Sequence, residues 1–204
     1  MYDRRARGGP IYERGNCGMN PEYLLPEGFS LAHDAHQTQL ETFRDSLGQP
    51  VRQWPKALLP STTVIVVEDL SAFPWIVLVH QRADNQHWGF LGGAQEAGES
   101  IAACAIRECE EESGYRIQLH QLTSIDSDPI KGAIAQYEDG AIHYTNITFL
   151  ATVLSGTRKV SNESLDVRWH SIHNLPYPFL DVHKWRLHQA LQVYFEPNFH
   201  VPVR

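Results

Sequence analysis

A short run of glutamates framed by glycines constrains this chain more than any other part of its sequence. From Gly93 to Tyr115 the chain follows the pattern G-x5-E-x7-R-E-U-x-E-E-x-G-U, in which U is a bulky apolar residue. Seven positions of this pattern are fixed by residue type. At an average usage of roughly 6% per residue type, one window would match by chance about once in 10^8. The pattern therefore reflects a specific requirement of structure or chemistry.

The acidic part of this pattern is predicted to lie on a helix. Residues 100–113 are good helix formers, and Gly114 stands where helices commonly end. At about 100° per residue, an inward face is expected from Ala102, Ala105, Ile106 and Cys109. Glu108, Glu111 and Glu112 are spaced i, i+3 and i+4, so their carboxylates gather on a neighbouring face.

These clustered carboxylates repel one another, and two interpretations account for them. They form either a solvated acidic helix face or a site for a cation. The glycine loop, together with Glu99 and Arg107 at the spacings of the pattern above, favours a cation site over a solvated helix face. Ligation by oxygen atoms alone suits Mg²⁺ or Mn²⁺ rather than Zn²⁺. Arg107 is expected to orient one of the carboxylates, and Glu99 lies near the helix N-terminus, where a negative charge is favoured.

The pattern resembles the Nudix box, the signature of hydrolases that cleave nucleoside diphosphates linked to another moiety. The segment Trp88-Gly-Phe-Leu-Gly-Gly93 is similar to the W-x-F-P-G-G sequence before the box in many members, with Leu91 in place of the proline. The segment from Glu163 to Trp169 is similar to the E-x-x-E-V-x-W tail of bacterial members, with Asp166 in place of the second glutamate. The resemblance covers roughly residues 60–195.

The resemblance implies a metal-dependent hydrolase in which water attacks a phosphorus atom. The implied ligands of Mg²⁺ or Mn²⁺ are Glu108, Glu111, Glu112 and the carbonyl oxygen of Gly92. The implied catalytic residues are Glu99, Arg107, Glu111 and Glu112. The base that accepts the proton of the water has no fixed place in the family. Candidates for this base outside the box are Glu138, Asp139 and Glu163.

The substrate is less constrained than the reaction, because recognition lies on loops outside the box. The predicted substrate-binding residues are Trp88, Gly93, Tyr137 and Glu138, and Trp54 and Tyr144 are further aromatic candidates for stacking on a base. Pro129 lies close to, but out of register with, a proline characteristic of members that cleave ADP-ribose. We favour an ADP-ribose-like substrate. The alternatives are a nucleoside triphosphate, in nucleotide-pool sanitation, or a non-catalytic nucleotide sensor of the same fold.

The sequence around the box predicts an α/β fold, a Nudix-type α/β/α sandwich with a mixed sheet between helices. Runs of β-branched residues at Val64–Val67 and Trp75–Val79 predict a buried hairpin. Further strands are predicted at 116–119, 122–125, 143–153 and 167–169, and helical spacing of apolar residues runs from Leu180 to Phe195.

The chain before the box region is predicted to form an N-terminal extension, residues 1–60, beside a hydrolase domain over residues 61–204. Its first part, to about residue 29, is rich in Gly, Arg and Pro and is expected to be irregular. Apolar residues spaced between Leu31 and Leu47 predict one helix. The extension is expected to cap the catalytic domain, and the alternative is that it pairs two subunits in a homodimer.

Charge and composition exclude several other classes. The net charge of -7 carries no basic footprint for nucleic acid, so a small nucleotide is the expected partner. No apolar run approaches the roughly 20 residues of a membrane span, and the N-terminus lacks a signal-peptide pattern. The 3 cysteines are expected to be reduced thiols in a cytoplasmic protein. None of the 11 histidines has partners at zinc spacing, and His143, beside the acidic loop, is the one candidate for a role.

Overall fold

The computed structural model describes residues 39–196 and 198–204. All of them belong to one compact unit. The elements within these residues are β1 (Ala57–Val67), β2 (Ile76–Arg82), β3 (Trp88–Gly89), α1 (Ile101–Ser113), β4 (Tyr115–Asp126), β5 (Ile134–Tyr137), β6 (Gly140–Gly156), β7 (Ser164–Ser171) and α2 (Asp181–Phe195). No helix in the described ranges is long and apolar enough to cross a membrane.

The strands form one mixed sheet, as the sequence predicts. Its central order is β3-β2-β1-β6-β4, with β5 paired to β6 and β7 paired to β2. β1 and β6 run parallel over their whole contact, from Ala57 opposite Ile142 to Val67 opposite Thr152. The other strand pairs are antiparallel. The predicted hairpin between β1 and β2 is formed at a single pair, Val67 with Val77, because β2 pairs mainly with β7.

The two helices cover opposite faces of the sheet, which confirms the predicted α/β/α sandwich. Side chains alternate along a strand, so neighbouring residues of β1 face different helices. Val64 and Val66 pack in one cluster with Ala105 of α1. Ile65 and Val67 pack in the other, which contains Leu187 and Ala190 of α2. Each cluster packs one helix against its own face of the sheet, and together they hold the two helices in place.

Helix α1 has defined ends. The Ser100 hydroxyl accepts a hydrogen bond from the Ala103 amide at 3.1 Å, which caps the first turn. Gly114 ends the helix in the left-handed conformation, with φ of 78°. The inward face differs in part from the predicted one, since Ala102 is exposed and Cys104 takes an inward position. Glu108 and Glu112 are buried as well, so the buried side of this helix carries both apolar and acidic side chains.

The helix predicted over Leu31 to Leu47 is wrong in its second half. Residues 31–38 lie outside the described residues, and helical structure ends at Leu40. The side chain of Asp45 accepts hydrogen bonds from the amides of Leu47 and Gln49, which draws the backbone into a turn instead. Phe43 in this segment is buried against β5 and β6.

Two other features differ from expectation or stay open. The strands predicted at 116–119 and 122–125 are one strand, β4, whose pairing with β6 has register shifts where the break was expected. β1 begins at Ala57, and the predicted domain division after residue 60 stays a prediction.

At the other end of the chain, Val203 pairs with Ile125 of β4, so the last residues extend the sheet. Cys104 and Cys109 are buried free thiols.

Candidate active site

A cavity with a volume of about 510 Å³ lies where α1, β1, the Gly92–Glu96 loop and α2 meet. The residues of the glycine–glutamate pattern that line it are Gly92, Gly93, Arg107, Glu108, Glu111 and Glu112. Polar residues of β1, β6 and α2 complete the wall opposite them, namely Ser61, Thr63, Asn146, His183 and Arg186. The cavity therefore joins the acidic face of α1 to a second polar region on the other side of the sheet.

Arg107 holds the carboxylates of this cavity together. Its guanidinium donates two hydrogen bonds to Glu99, at 2.7 and 3.1 Å. Its Nη1 donates to Glu108 at 2.9 Å and to Glu111 at 3.1 Å. A fifth bond, to the Ala94 carbonyl oxygen, ties the helix to the glycine loop. Hydrogen bonds from Arg107 lower the pKa of Glu99 to about 2, so Glu99, which does not line the cavity, acts as the anionic anchor of the arginine.

Glu112 is the most deeply buried carboxylate of the pattern, at 3% exposure. One of its oxygens accepts a hydrogen bond from the Gly92 amide at 2.8 Å, and the other lies 3.7 Å from Nδ1 of His80. Burial lowers the pKa of His80 to about 3, so this contact joins a carboxyl group to a neutral ring. Desolvation raises the pKa of Glu112 to about 8. Glu112 is therefore a buried acid, and no positively charged side chain within residues 39–196 and 198–204 contacts it directly.

Two glycines of the loop make close contacts that a Cβ would disturb. Gly92 has φ of 137°, and a Cβ there would overlap the carbonyl oxygen of Thr62. A Cβ on Gly93 would lie 2.5 Å from the carboxylate of Glu108. The bare backbone lets the loop pass between β1 and α1 and keeps the Glu108 carboxylate against it. The loop is fixed to β1 by hydrogen bonds from the Thr62 amide to Gly93 and from the Val64 amide to Leu91, both at 2.8 Å.

The residues present fit a divalent cation. Burial raises the pKa of Glu108, as it does that of Glu112, so two carboxylates of the cavity lack the water that would stabilise their charge. The donor set available with Glu111 and the Gly92 carbonyl is all oxygen, which suits Mg²⁺ or Mn²⁺. Within the described residues no three acidic, histidine or cysteine side chains are already gathered as ligands. Arg107 lies between Glu108 and Glu111 instead, and its contacts occupy them.

Other predicted site residues fall into two groups. Tyr137, Tyr144 and Glu163 line the cavity, and the two tyrosine hydroxyls lie 3.2 Å apart. Trp88 does not line it, since its ring is buried in the core beside His170.

The acidic loop and the remaining candidates lie away from the cavity lining. Glu138 and Asp139 are exposed, and Asp139 forms an ion pair with Lys56. His143 hydrogen-bonds through Nε2 to the carbonyl oxygen of Ser127 at 2.7 Å, which places it in a structural contact. The Trp54 ring packs against Phe43, with centroids 5.4 Å apart. The carbonyl of Pro129 accepts a hydrogen bond from the Arg44 amide.

Sequence reasoning missed two arginines that line the cavity. Arg82, at the end of β2, donates two hydrogen bonds to Asp84, at 3.0 and 2.7 Å. Arg186, at 6% exposure, lies on the inward face of α2 and donates to the Thr63 hydroxyl at 3.0 Å. The available signal was a charged residue four positions from both Val182 and Ala190, on the apolar stripe of a predicted helix.

Comparison with known proteins agrees with this architecture. A family model described as the NUDIX domain matches residues 58–191. A MutT-like protein of Streptomyces ambofaciens is 28% identical over 115 residues, which cover 56% of this chain and 68% of the relative. An ADP-ribose pyrophosphatase of Methanocaldococcus jannaschii is 26% identical over 103 residues, which cover 49% of this chain and 57% of the relative.

The same fold is found among solved structures. The crystal structure of a UDP-X diphosphatase superimposes with a TM-score of 0.58 over 74% of this chain and 68% of that chain. The two sequences are 21% identical over this match, so the likeness concerns the fold.

Proposed function

The chain belongs to the NUDIX domain family of pyrophosphohydrolases, and from this premise we propose that it cleaves the diphosphate of a nucleoside diphosphate joined to another group, with a divalent cation. The observation that carries the proposal is the arrangement around Arg107. One guanidinium contacts three carboxylates, and a fourth, Glu112, is bonded to the glycine loop of the same cavity. A small nucleotide partner, Mg²⁺ or Mn²⁺ as cofactor and a cytoplasmic location belong to the same proposal.

The metal ligands in this proposal are Glu108, Glu111, Glu112 and the Gly92 carbonyl. A bound divalent cation would neutralise the charge of the phosphates and lower the pKa of water. The protein's own contribution is to hold these oxygens in place. Arg107 fixes Glu108 and Glu111 by hydrogen bonds, and the Gly92 amide fixes Glu112. Such supporting contacts typically affect metal affinity or activity by about 10- to 100-fold.

We assign the general base to Glu163. Of the three acids outside the box that the sequence suggests, it alone lines the cavity with the glutamates of α1. Its charge acts on both Glu108 and Glu112, whose pKa values it helps to raise. An exposed carboxylate at the cavity wall is free to accept a proton from water and to pass it to solvent.

An ADP-ribose-like compound is the first substrate to test. The supporting observation is the similarity to a protein named as an ADP-ribose pyrophosphatase. The alternatives are a nucleoside triphosphate, cleaved to a monophosphate and pyrophosphate, and nucleotide sensing without hydrolysis. The intact set of glutamates around Arg107 favours hydrolysis over sensing. Product analysis separates an ADP-ribose-like substrate from a nucleoside triphosphate, because ADP-ribose yields AMP and ribose phosphate whereas a triphosphate yields pyrophosphate.

The test is product release with Mg²⁺ and then Mn²⁺ across a panel of compounds. The panel contains ADP-ribose, diadenosine polyphosphates, nucleotide sugars, coenzyme A, nicotinamide dinucleotides, and normal and oxidised nucleoside triphosphates. Turnover of one class should need the metal and should fall by orders of magnitude in Glu112→Gln. The matched control is Glu110→Gln on the same helix, because Glu110 is exposed, lies outside the cavity lining and pairs with Arg116 at 3.4 Å. Tight nucleotide binding without turnover would support a sensor instead.

A further inference from the structure

The charge of the cavity is not uniform, and its arginines differ in how they are compensated. The arginines that line it are Arg82, Arg107 and Arg186. Arg82 is matched by Asp84 through two hydrogen bonds, and Arg107 is surrounded by carboxylates. Among the described residues Arg186 has no carboxylate of its own, because its acidic neighbour Asp126 is already bound by Arg204.

Asp126 is shared between two arginines. Its oxygens accept two hydrogen bonds from Arg204, each at 3.0 Å, while Arg186 lies 3.7 Å away in a looser ion pair. The Arg204 guanidinium also lies 3.5 Å over the ring of Trp185, which holds it in place. Two guanidinium groups therefore meet one fully buried carboxylate. The side chains of this cluster leave one positive charge uncompensated beneath the cavity.

Arg186 is also incompletely hydrogen-bonded. Its Nη1 donates to Thr63, whereas its Nε is buried and has no hydrogen-bond partner in the part of the chain that the structure describes. Burial and the charge of Arg204 lower its pKa to about 10, so it still carries its charge at neutral pH. His183, the neighbouring ring on α2, accepts a hydrogen bond from the Phe90 amide and has its pKa held far below 6.5 by burial. The positive charge of this region thus belongs to Arg186.

Arg186 and the carboxylates around Arg107 both line the cavity, but they come from different helices. Thr62 of β1 contacts Cys104 of α1, whereas Thr63 contacts Arg186 of α2. Because successive residues of a strand point to opposite faces, the two regions lie on different faces of the sheet. Ser61 and Asn146 accompany Thr63 and are hydrogen-bonded to each other at 3.0 Å. We call this region, formed by Ser61, Thr63, Asn146 and Arg186, the polar floor.

We propose that the polar floor binds a negatively charged group of the substrate, a carboxylate or a phosphomonoester, at a distance from the diphosphate that is cleaved. This inference rests on the proposed function and narrows its substrate class. A buried cation that is under-coordinated favours an anionic ligand, because charge-assisted hydrogen bonds are the strongest that a protein makes. Hydroxyl and amide groups beside it supply further hydrogen bonds to the same group. Substrates with a third anionic group should then be preferred over ADP-ribose itself, whose charge lies in the diphosphate.

The test uses pairs of substrates that differ in one anionic group. UDP-glucuronate and UDP-glucose differ by a carboxylate on the sugar, and coenzyme A and dephospho-coenzyme A differ by a phosphomonoester on the ribose. The charged member of at least one pair should have a kcat/KM about 10- to 100-fold higher, the range expected for a hydrogen bond to a charged group. The pair that shows the difference identifies the source of the charge. Equal kcat/KM within both pairs, in an enzyme that turns them over, overturns the inference and leaves the hydrolase assignment standing.

Variants assign the preference to the polar floor. Arg186→Met should reduce the ratio within the preferred pair to near 1, and Arg186→Lys should retain most of it. Arg186→Met is expected to fold, since it leaves Asp126 with one partner, Arg204, at balanced charge. The control is Arg82→Met, which removes a cavity arginine that Asp84 already neutralises and should preserve the ratio. A ratio that persists in Arg186→Met contradicts the inference.

A second readout does not depend on turnover. Inorganic phosphate, added to the metal-free protein, should raise the Tm of the wild type with increasing concentration and leave that of Arg186→Met unchanged. Equal stabilisation of both proteins by phosphate would contradict an anion site at Arg186. Absence of turnover across the whole panel, by contrast, would count against the hydrolase assignment alone.

Discussion

Burial of the Glu112 carboxylate should make the metal-free protein more stable when that group is neutralised. Its pKa is raised from an ordinary 4.5 to about 8 by desolvation, so the folded protein resists its ionisation. A raised pKa contributes stability that is complete below about pH 4.5 and is lost as the pH rises through about 8. Each pKa unit corresponds to about 1.4 kcal/mol, so the ionised group costs about 4 kcal/mol at pH 8 and about 1 kcal/mol at pH 5.

Glu112→Gln removes this cost while keeping the size and the acceptor for the Gly92 amide. In chelator-treated protein, the free energy of unfolding of the variant relative to wild type should therefore rise by about 3 kcal/mol between pH 5 and pH 8. Urea denaturation at the two pH values measures it. Mg²⁺ should stabilise the wild type, because a ligand that binds the folded state adds to its stability. It should have little effect on the variant, which lacks the Glu112 carboxylate that we propose as a ligand.

The same measurement on Glu110→Gln provides the control, since that carboxylate is exposed and its replacement should change stability by less than about 0.5 kcal/mol at either pH. The reasoning is refuted if Glu112→Gln has the same effect on the free energy of unfolding at pH 5 and pH 8. It would mean that the carboxylate at this position is already compensated without metal.

Three further changes test other parts of the structure. Glu163→Gln should lower kcat by about 100-fold, as expected for loss of a general base, whereas Asp139→Asn, outside the cavity, should change kcat less than about twofold. Steady-state kinetics measure both values, and equal effects of the two substitutions would contradict the assignment of Glu163 as the base. Arg107→Lys keeps the charge but loses the forked contact with the carboxylates, so Mn²⁺ affinity, measured by titration, should fall about 10-fold, and unchanged affinity would refute this role. Arg204→Ala removes two hydrogen bonds from buried Asp126 and should cost about 3 kcal/mol in denaturant unfolding; a loss below about 0.5 kcal/mol would show that Arg186 suffices.

The sequence predicted the sheet, both helices and the acidic cluster because each depends on short-range patterns. The spacing of Glu108, Glu111 and Glu112 is a property of one helix, and β-branched runs report strands directly. The prediction was wrong where a side chain competes with the backbone. Asp45 holds the segment after Leu40 in a turn by accepting hydrogen bonds from the amides of Leu47 and Gln49, an alternative that apolar spacing does not reveal.

The cluster of polar and charged side chains around Arg186 could not be predicted because its residues are far apart in the chain. Thr63, Asp126, Arg186 and Arg204 come together only when β1, β4, α2 and the C-terminal residues pack. Each is ordinary in its local sequence. Similarly, Glu163 resembles the other two candidate bases in the sequence, and only its position at the cavity wall separates it from Glu138 and Asp139.

The two buried cysteines of α1 give this fold an internal reporter of its motion. Burial raises the pKa of Cys104 to about 11 and that of Cys109 to about 12, and the thiolate is the form that reacts with alkylating reagents. At neutral pH both thiols stay unreactive while the helix is docked on the sheet. In a variant with Cys17 replaced by serine, their rate of alkylation then measures how often α1 detaches from the sheet. The alkylation rate therefore measures the opening of α1, and a lower rate in the presence of Mg²⁺ would show that the cation holds this helix on the sheet.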